Sequence, residues 1–221
     1  MKILAADTAL GACSAAVLDG ETILAHIFEP MSRGHAERLA PMVDEAMRAA
    51  KIPFASLDRL AVTTGPGTFT GQRVGLAFMR GLRLALKKPL TGITTLEAMA
   101  AAAMDEAGTE FALAIHDARR GEFYFQMSSR EGAIYPPRIG MLGDAVRSIS
   151  SARGKIALAG TGANAASSLL GARGAQIIVT NIIEPDALWV ARLAARALES
   201  DAPVRPLYLR PPDAKLPDAR P

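Results

Sequence analysis

The 221-residue sequence has few of the residues that build disulfides and metal centres. It contains one cysteine, Cys13, and three histidines, His26, His35 and His116. A single cysteine excludes an internal disulfide and fits a reducing compartment. No two histidines stand three or four residues apart, the spacing that places two imidazoles on one face of a helix. The sequence therefore predicts no metal site.

A recognisable catalytic nucleophile is also missing. The sequence contains no G-x-S-x-G motif. Cys13 falls within a strand-like apolar run, where a free cysteine usually serves as a small hydrophobic residue. We therefore predict no catalytic residues.

Long apolar runs and strong charge are absent as well. No apolar stretch reaches the about 18 residues that cross a membrane, and Met1-Lys2 leads directly into a strand-like run rather than a signal peptide. Half of the residues are apolar, which excludes disorder. The net charge of +3 gives nucleic acid or an acidic partner only weak support, and ordinary surface charge explains it equally well. We expect a soluble, cytoplasmic protein.

The hydrophobic pattern predicts two α/β lobes with mixed sheets. The first contains strands over 2–8, 13–20, 21–30, 59–64 and 90–94 and helices over 35–50, 69–87 and 95–107, with a turn at Asp19-Gly20 and Pro41 marking a kink or a nearby start in the first helix. The second contains a hairpin over 111–127 turned at Arg119–Gly121, an edge strand over 133–139, helices over 142–151, 163–170 and 186–199, and strands over 155–160 and 175–180. We place the lobes at 1–106 and 107–221, with a proline-rich tail (203–221) running extended over the surface.

The segment TTGPGTFTGQR (63–73) joins a strand to a helix and has two interpretations. As a phosphate loop it would use the unpaired N–H groups at the helix start. However, no lysine followed by Ser or Thr is present, and Pro66 has no N–H. As a turn, Gly65 and Gly67 would allow the tight bend and Thr68 would cap the helix. The residues favour the turn.

The helix after this loop has apolar residues on two sides. We predict that the side packed on the sheet consists of Val74, Ala77, Phe78, Gly81, Leu82 and Ala85. The opposite side then carries Leu76, Met79 and Leu86 beside Arg80, Arg83 and Lys87. An aliphatic stripe with an arginine rim is typical of interface cores, although scattered surface apolar residues are also common. Gly71 and Gly75 would let another backbone approach closely, so we interpret this side as a partner-binding face.

Two further segments give weak indications of anion binding. Arg119 and Arg120, in DARRGEFYF (117–125), could bind a phosphate or carboxylate bidentately, but a solvated turn explains them as well. LAGTGANA (158–165) has a G-x-G after a strand, which alone does not establish a nucleotide site.

Five segments, taken in order, resemble the TsaB family of bacterial tRNA threonylcarbamoyladenosine biosynthesis proteins. They are DTALGACSAAVLDG, GHAERLAPMV, TTGPGTFTGQRVGLAFMRGL, DARRGEFYF and PLYLRPP. The similarity covers nearly the whole chain, and the GTFTG segment is its most specific part. The resemblance implies the two-lobed actin-like ATPase (ASKHA) fold, in which each lobe is a mixed β-sheet with helices.

The resemblance also implies a non-catalytic subunit that binds and activates the transferase TsaD. TsaD attaches a threonylcarbamoyl group to the adenosine beside the anticodon of tRNAs that read codons beginning with A. The ATPase TsaE would join the complex, tRNA would be an indirect partner, and the isolated chain would form a homodimer. The lack of a close histidine pair agrees with a chain that does not perform the transfer itself.

The resemblance places the partner interface on the helices His35–Ala50 and Phe69–Leu86. The residues carried over are His35, Leu39, Met42, Phe69, Arg73, Leu76, Met79, Arg80, Arg83 and Leu86, with Gly65, Pro66, Gly67, Thr68 and Gly71 setting the loop geometry. We expect Met79→Asp or Leu76→Arg to abolish pairing with TsaD and leave the fold intact.

The nucleotide signatures of the fold are only partly present. Asp7 and Asp117 occupy the positions of the two phosphate loops, and Gly160 and Gly162 lie in the adenosine-binding turn. We expect no cofactor and at most weak ATP or ADP binding. The alternatives are an independent ATPase or kinase of this fold, a glycoprotease-like hydrolase, and a direct tRNA binder that uses Arg80, Arg83, Arg119 and Arg120.

Overall fold

The structure is a computed structural model that describes residues 1–149, 154–172, 176–198, 200 and 202–210. The strands are β1 (Lys2–Asp7), β2 (Ala12–Asp19), β3 (Thr22–Pro30), β4 (Arg59–Thr63), β5 (Leu90–Ile93), β6 (Phe111–Asp117), β7 (Glu122–Ser129), β8 (Gly132–Ala133), β9 (Arg138–Met141), β10 (Ile156–Ala159) and β11 (Ile177–Val179). The helices are α1 (His35–Ala50), α2 (Phe69–Leu86), α3 (Thr95–Ala107), α4 (Leu142–Arg147), α5 (Ala163–Gly171) and α6 (Ala187–Arg196).

The two sheets repeat one topology. The first has the order β3-β2-β1-β4-β5, and the second has the order β11-β10-β6-β7-β8, with β9 also paired to β7. β1 lies between an antiparallel partner, β2, and a parallel partner, β4. β6 lies in the same way between antiparallel β7 and parallel β10. The predicted pair of mixed α/β lobes is confirmed.

The helices form layers on both faces of the sheets because successive strand residues point to opposite sides. On β1, Leu4 belongs to the core under α1 and α2, whereas Ile3 belongs to the core under α6. α3 packs on the second sheet through Met99 and Ala103, and α4 and α5 cover its other face. Small side chains line the middle layers, which allows helices and sheets to approach closely.

Local signals set the helix limits well. α1 begins and ends at the predicted residues and continues through Pro41, whose exposed position places the missing N–H bond beside solvent. Thr94 and Glu97 form the capping box of α3, and Gly108 ends the helix in the left-handed conformation. α4 is shorter than predicted, and residues 150 and 151 of that prediction lie outside the described chain.

The C-terminal part of the chain returns to the first lobe. α6 packs on β1, β2 and β4 through Val190, Ala191 and Ala194. Residues 203–210 then run against α2 and β5, where Val204 joins the core under α1 and α2. The chain after residue 106 therefore contributes to both lobes, and residues 211–221 of the predicted tail lie outside the described part. Among the described residues, no helix is long and apolar enough to cross a membrane.

Candidate partner interface and interlobe cleft

The loop before α2 is a turn that caps the helix. The Thr68 side chain accepts a hydrogen bond from Gly71 N at 3.1 Å, and Thr68 N donates to Ala9 O at 2.8 Å. Gly65 has a φ of +106°, which favours glycine. The turn interpretation of this loop is therefore confirmed in its main feature, the Thr68 cap.

Three glycines at four-residue spacing bring α2 against the turn that follows β1. A Cβ on Gly67 would clash with Ala9 O, one on Gly71 would clash with Thr8 O, and one on Gly75 would lie 2.7 Å from Thr8 Oγ1. The Thr8 hydroxyl in turn donates to Gly71 O at 2.7 Å. The sequence predicted a close backbone approach at Gly71 and Gly75, but the backbone that approaches belongs to this chain and not to a partner.

Asp7 lies fully buried at the carboxyl end of β1. Its Oδ1 accepts hydrogen bonds from Thr63 Oγ1 at 2.5 Å and from Ala9 N at 3.2 Å, while Oδ2 has no partner among the described residues. Burial raises the pKa of Asp7 to about 7, and the nearby carboxylates of Asp186 and Glu184 add to this effect. Burial therefore favours the neutral form of the Asp7 carboxyl group.

Two amide groups of the turn after Asp7, Ala9 N and Gly11 N, donate to the protein's own carboxylates. Glu184, from the segment before α6, accepts a hydrogen bond from Gly11 N at 2.8 Å. Ala9 N is bound by Asp7. A phosphate at Ala9 N or Gly11 N would have to compete with the carboxylates of Asp7 and Glu184 for these donors.

The glycines of the second predicted nucleotide region pack closely on other protein atoms. Gly160 has a φ of +94° and packs so closely on Ile115 that a Cβ would clash with its carbonyl oxygen. Gly162 N donates to Ile115 O at 3.0 Å, and a Cβ on Gly162 would lie 2.8 Å from the Phe123 ring. Packing against β6 and β7 therefore accounts for both glycines.

Asp117 shapes the arginine-bearing hairpin between β6 and β7. Asp117 N donates to Thr161 Oγ1, and the Asp117 side chain accepts a hydrogen bond from Arg119 N, both at 2.8 Å. Arg119, Arg120 and Gly121 all have positive φ. The turn holds both arginines at an exposed tip.

The predicted orientation of α2 is wrong. Leu76 is 2% exposed and Met79 is 0% exposed, because both pack in the core under α1 and α2. Leu86 is half-buried against the same core. The phase of the helix is set by Gly71 and Gly75, which must face the Thr8 turn, and Leu76 and Met79 share that side. Met79→Asp would therefore place a charge in the core and damage the fold.

The remaining predicted interface residues divide by exposure. Leu39 and Met42 are buried in the core of the first lobe. His35 is half-buried, with its Nε2 at 3.0 Å from Leu10 O. Arg83 is half-buried, whereas Phe69, Arg73 and Arg80 are exposed.

The surface that α1 and α2 present to solvent combines small residues with charged ones such as Glu45, Arg73 and Arg80. We define the docking face by its exposed members Ala36, Ala40, Ala77, Gly81, Leu84 and Ala85. Leu84 is 79% exposed, and a Cβ on Gly81 would meet no atom within 4 Å. By helical spacing Ala77, Gly81 and Ala85 lie on the same side of α2 as Leu84, and small side chains let a second helix approach closely.

Three residues near this face were missed as a group by the sequence analysis. Phe69 is 58% exposed and stacks on Tyr208 with the ring centroids 5.8 Å apart. The Arg73 guanidinium lies 3.6 Å from the Phe69 centroid, and Arg73 Nε donates to the Tyr208 hydroxyl at 2.9 Å. The PLYLRPP segment marked Tyr208 in the sequence, but its spacing gave no indication of what it would contact.

The two mixed sheets and their helices define an actin-like ATPase fold. The chain belongs to the family described as TsaD, tRNA N6-adenosine threonylcarbamoyltransferase, whose model matches residues 22–166. It is 40% identical over 131 residues to the tRNA threonylcarbamoyladenosine biosynthesis protein TsaB of Escherichia coli. The predicted resemblance to TsaB is confirmed.

The extent of the similarity differs among these proteins. The match to E. coli TsaB covers 59% of this chain and 56% of that protein, so the chain spans about half the length of the curated TsaB relatives. An uncharacterised protein of Mycobacterium bovis is 34% identical over 217 residues, covering 96% of this chain and 93% of its own. The solved structure of YeaZ from Pseudomonas aeruginosa is 28% identical, covers 94% of this chain and 99% of its own, and has a TM-score of 0.76.

Proposed function

We propose that this chain is a non-catalytic subunit of tRNA threonylcarbamoyladenosine biosynthesis that binds and activates the transferase TsaD through the docking face. The observation that carries the proposal is the docking face itself, where Leu84 is exposed beside the small residues Ala77, Gly81 and Ala85 of α2. The pathway in the proposal comes from two relatives, TsaB of E. coli and TsaB of Haemophilus influenzae, which are tRNA threonylcarbamoyladenosine biosynthesis proteins.

The cleft supports a non-catalytic role in the proposal. Ala9 N and Gly11 N, in the turn after β1, donate to Asp7 and Glu184. Gly160 and Gly162 pack on Ile115 and Phe123. Within the described residues, no group of three or more His, Cys, Asp or Glu side chains could hold a metal ion. We infer that the chain contributes a surface to the reaction and that TsaD supplies the chemistry. TsaE and tRNA would join through that complex.

Substitution of Leu84 tests the proposed docking face. Leu84→Arg should reduce co-purification with TsaD at least about tenfold, because burying a charge in an apolar contact costs more than about 1.4 kcal/mol. Leu198→Arg is the matched control, since Leu198 is 93% exposed and follows α6, on the opposite face of the first sheet. Both variants should keep the wild-type melting temperature.

Reconstitution of the modification in vitro then separates binding from activation. With TsaD, TsaE and the threonylcarbamoyl donor at fixed concentrations, omission of this chain should abolish product formation. Addition of the Leu84→Arg variant should restore product formation only at high concentration of the variant. Full activity without the chain would overturn the activating role. Equal binding of the Leu84 and Leu198 variants would overturn the docking face. In sedimentation experiments, the same Leu84 change should also dissociate any homodimer of the isolated chain.

A further inference from the structure

The segment after α6 crosses from the first lobe to the second. We call residues Val204–Arg210 the strap. In the first lobe, Leu207 N donates to Thr64 O at 2.8 Å, and Arg80 Nε donates to Val204 O at 3.1 Å. The Val204 side chain packs over Gly92, where a Cβ would lie only 2.7 Å from Val204 Cγ1. The beginning of the strap is thus fixed to the loop before α2, to α2 itself and to β5.

The middle of the strap is held by Tyr208. Its ring stacks on Phe69, and its hydroxyl accepts a hydrogen bond from Arg73 Nε at 2.9 Å. Phe69 and Arg73 both belong to the first turns of α2. Stacked aromatic rings and a guanidinium over a ring each add stability beyond the area that they bury.

The end of the strap is fixed to the second lobe by Arg210. Its Nη1 donates to Ala118 O at 3.0 Å, and its Nη2 lies 2.5 Å from Glu122 Oε2. The Arg210 side chain is only 22% exposed. Ala118 and Glu122 bracket the tip that carries Arg119 and Arg120. A partly buried guanidinium with both a carbonyl and a carboxylate partner makes a charge-assisted contact stronger than a neutral hydrogen bond.

We propose that the strap is a latch between the lobes, which fixes the β6–β7 hairpin and its arginine tip relative to α2. Lobes of one chain move relative to one another unless contacts restrain them. Here α3 and the turn after β1 already share a buried core with the second sheet. The strap adds a further contact between the lobes, since its two ends bind different lobes. Release of the Arg210 end therefore frees the hairpin tip and widens the range of lobe orientations.

The proposal is independent of the docking function and is tested on the isolated full chain. Arg210→Gln removes the ion pair with Glu122 and weakens the bond to Ala118 O. Hydrogen exchange of the amides at 118–122 should become about tenfold faster, as expected for loss of a charge-assisted contact. Arg205→Gln is the matched control, because Arg205 is an exposed arginine of the strap with no hydrogen bond or ion pair to any described residue. Its exchange pattern should equal that of the wild type.

A distance measurement tests the lobe motion directly. Spin labels on Glu37→Cys in α1 and Glu131→Cys in the turn after β7 report the separation of the lobes, and the buried Cys13 is protected from labelling. The distance distribution should broaden with Arg210→Gln and with Tyr208→Ala, and it should remain narrow with Arg205→Gln.

A variant of Glu122, the other partner of the ion pair, tests whether the effect of Arg210→Gln comes from the lost contact or from general unfolding. Glu122→Gln should reproduce the effect of Arg210→Gln on both hairpin exchange and lobe distance, with little change in melting temperature. If Arg210→Gln and Glu122→Gln leave both readouts at the wild-type values, or if only the strap amides exchange faster, the latch is refuted. The segment would then be a passive tail bound to the surface.

Discussion

Asp7 illustrates how burial changes the chemistry of one residue. In many enzymes of this architecture the carboxyl end of a parallel strand lies beside the ligand, and a carboxylate there would serve as a charged ligand. Here the side chain is inaccessible to solvent and has two further carboxylates nearby. Between about pH 4 and pH 7, Asp7 is therefore mostly protonated in the folded protein and mostly ionised in the unfolded chain.

The raised pKa of Asp7 predicts a specific pH dependence of stability. The folded pKa of about 7 exceeds the ordinary value of 3.8, so the folded state binds more protons between these values and stability falls as the pH rises from about 4 to 7. The full cost, on the order of 4 kcal/mol, is present above pH 7. Asp7→Asn should remove this cost and preserve the acceptor for Thr63.

Urea unfolding at two pH values measures the effect. The gain in unfolding free energy of Asp7→Asn over the wild type should be a few kcal/mol at pH 8 and close to zero at pH 4. Asp105→Asn, at an exposed position near the end of α3, is the control and should show no such difference. A gain for Asp7→Asn that is the same at both pH values would contradict the assignment.

At the scale of the element, α2 shows two different uses of glycine within one helix. Gly75 faces the Thr8 turn with no room for a Cβ, whereas Gly81 faces solvent with nothing within 4 Å. Alanine is favoured over glycine by about 1 kcal/mol inside a helix. The same substitution should therefore have opposite effects at the two positions.

Paired glycine-to-alanine variants test this difference. Gly81→Ala should stabilise the protein by about 0.5–1 kcal/mol, since it gains helix propensity without a clash. Gly75→Ala should destabilise it by about 1–2 kcal/mol, because overpacking against Thr8 Oγ1 outweighs the gain in propensity. Denaturant midpoints give both values. Stabilisation by both substitutions would show that α2 is not tightly packed on the β1–β2 turn.

α2 also shows which features of an element the sequence can predict. Its limits follow from local signals, the Thr68 cap at the start and Lys87-Lys88-Pro89 after the end, and these were found. The rotation of α2 about its axis does not follow from local signals. Apolar residues lie on two sides of the helix, so either side could be the one packed on the sheet. The choice depends on Gly71 and Gly75 meeting Thr8, a contact between residues more than sixty positions apart. For the same reason, the predicted interface on α2 included Leu76 and Met79, which are buried, although its Phe69, Arg73 and Arg80 are exposed.

At the scale of the whole molecule, the cleft between the lobes decides whether the chain uses a nucleotide. Isothermal titration of the full chain with ATP and magnesium should give no saturable heat up to about 1 mM ATP. The reason is that Ala9 N and Gly11 N already donate to the carboxylates of Asp7 and Glu184. The same titration without magnesium is the control. Saturable binding would contradict this expectation and favour the independent ATPase instead.

The two-lobed architecture followed from the sequence because strands and helices alternate twice with clear turns. The return of α6 to the first lobe did not, whereas the proline-rich tail over 203–221 was predicted to run back over the surface. The amphipathic pattern of α6 indicates that one side is buried, but it carries no information about which sheet covers it. Arg59, at the start of β4, fixes the end of α6 to the first sheet, because its guanidinium donates to Ala197 O at 2.9 Å and to Ala194 O. A buried arginine at the start of β4 could have suggested a distant acceptor but not its location.

The position of α6 has a consequence for synthesis on the ribosome. The face of the first sheet that α6 covers is complete in sequence after β5, yet its cover is translated roughly a hundred residues later. At about 5–20 residues per second, that interval lasts about 5–20 s. The second lobe, whose strands are contiguous in the chain, emerges whole within the same interval. During that interval the apolar face of the first sheet lacks the helix that covers it in the folded protein.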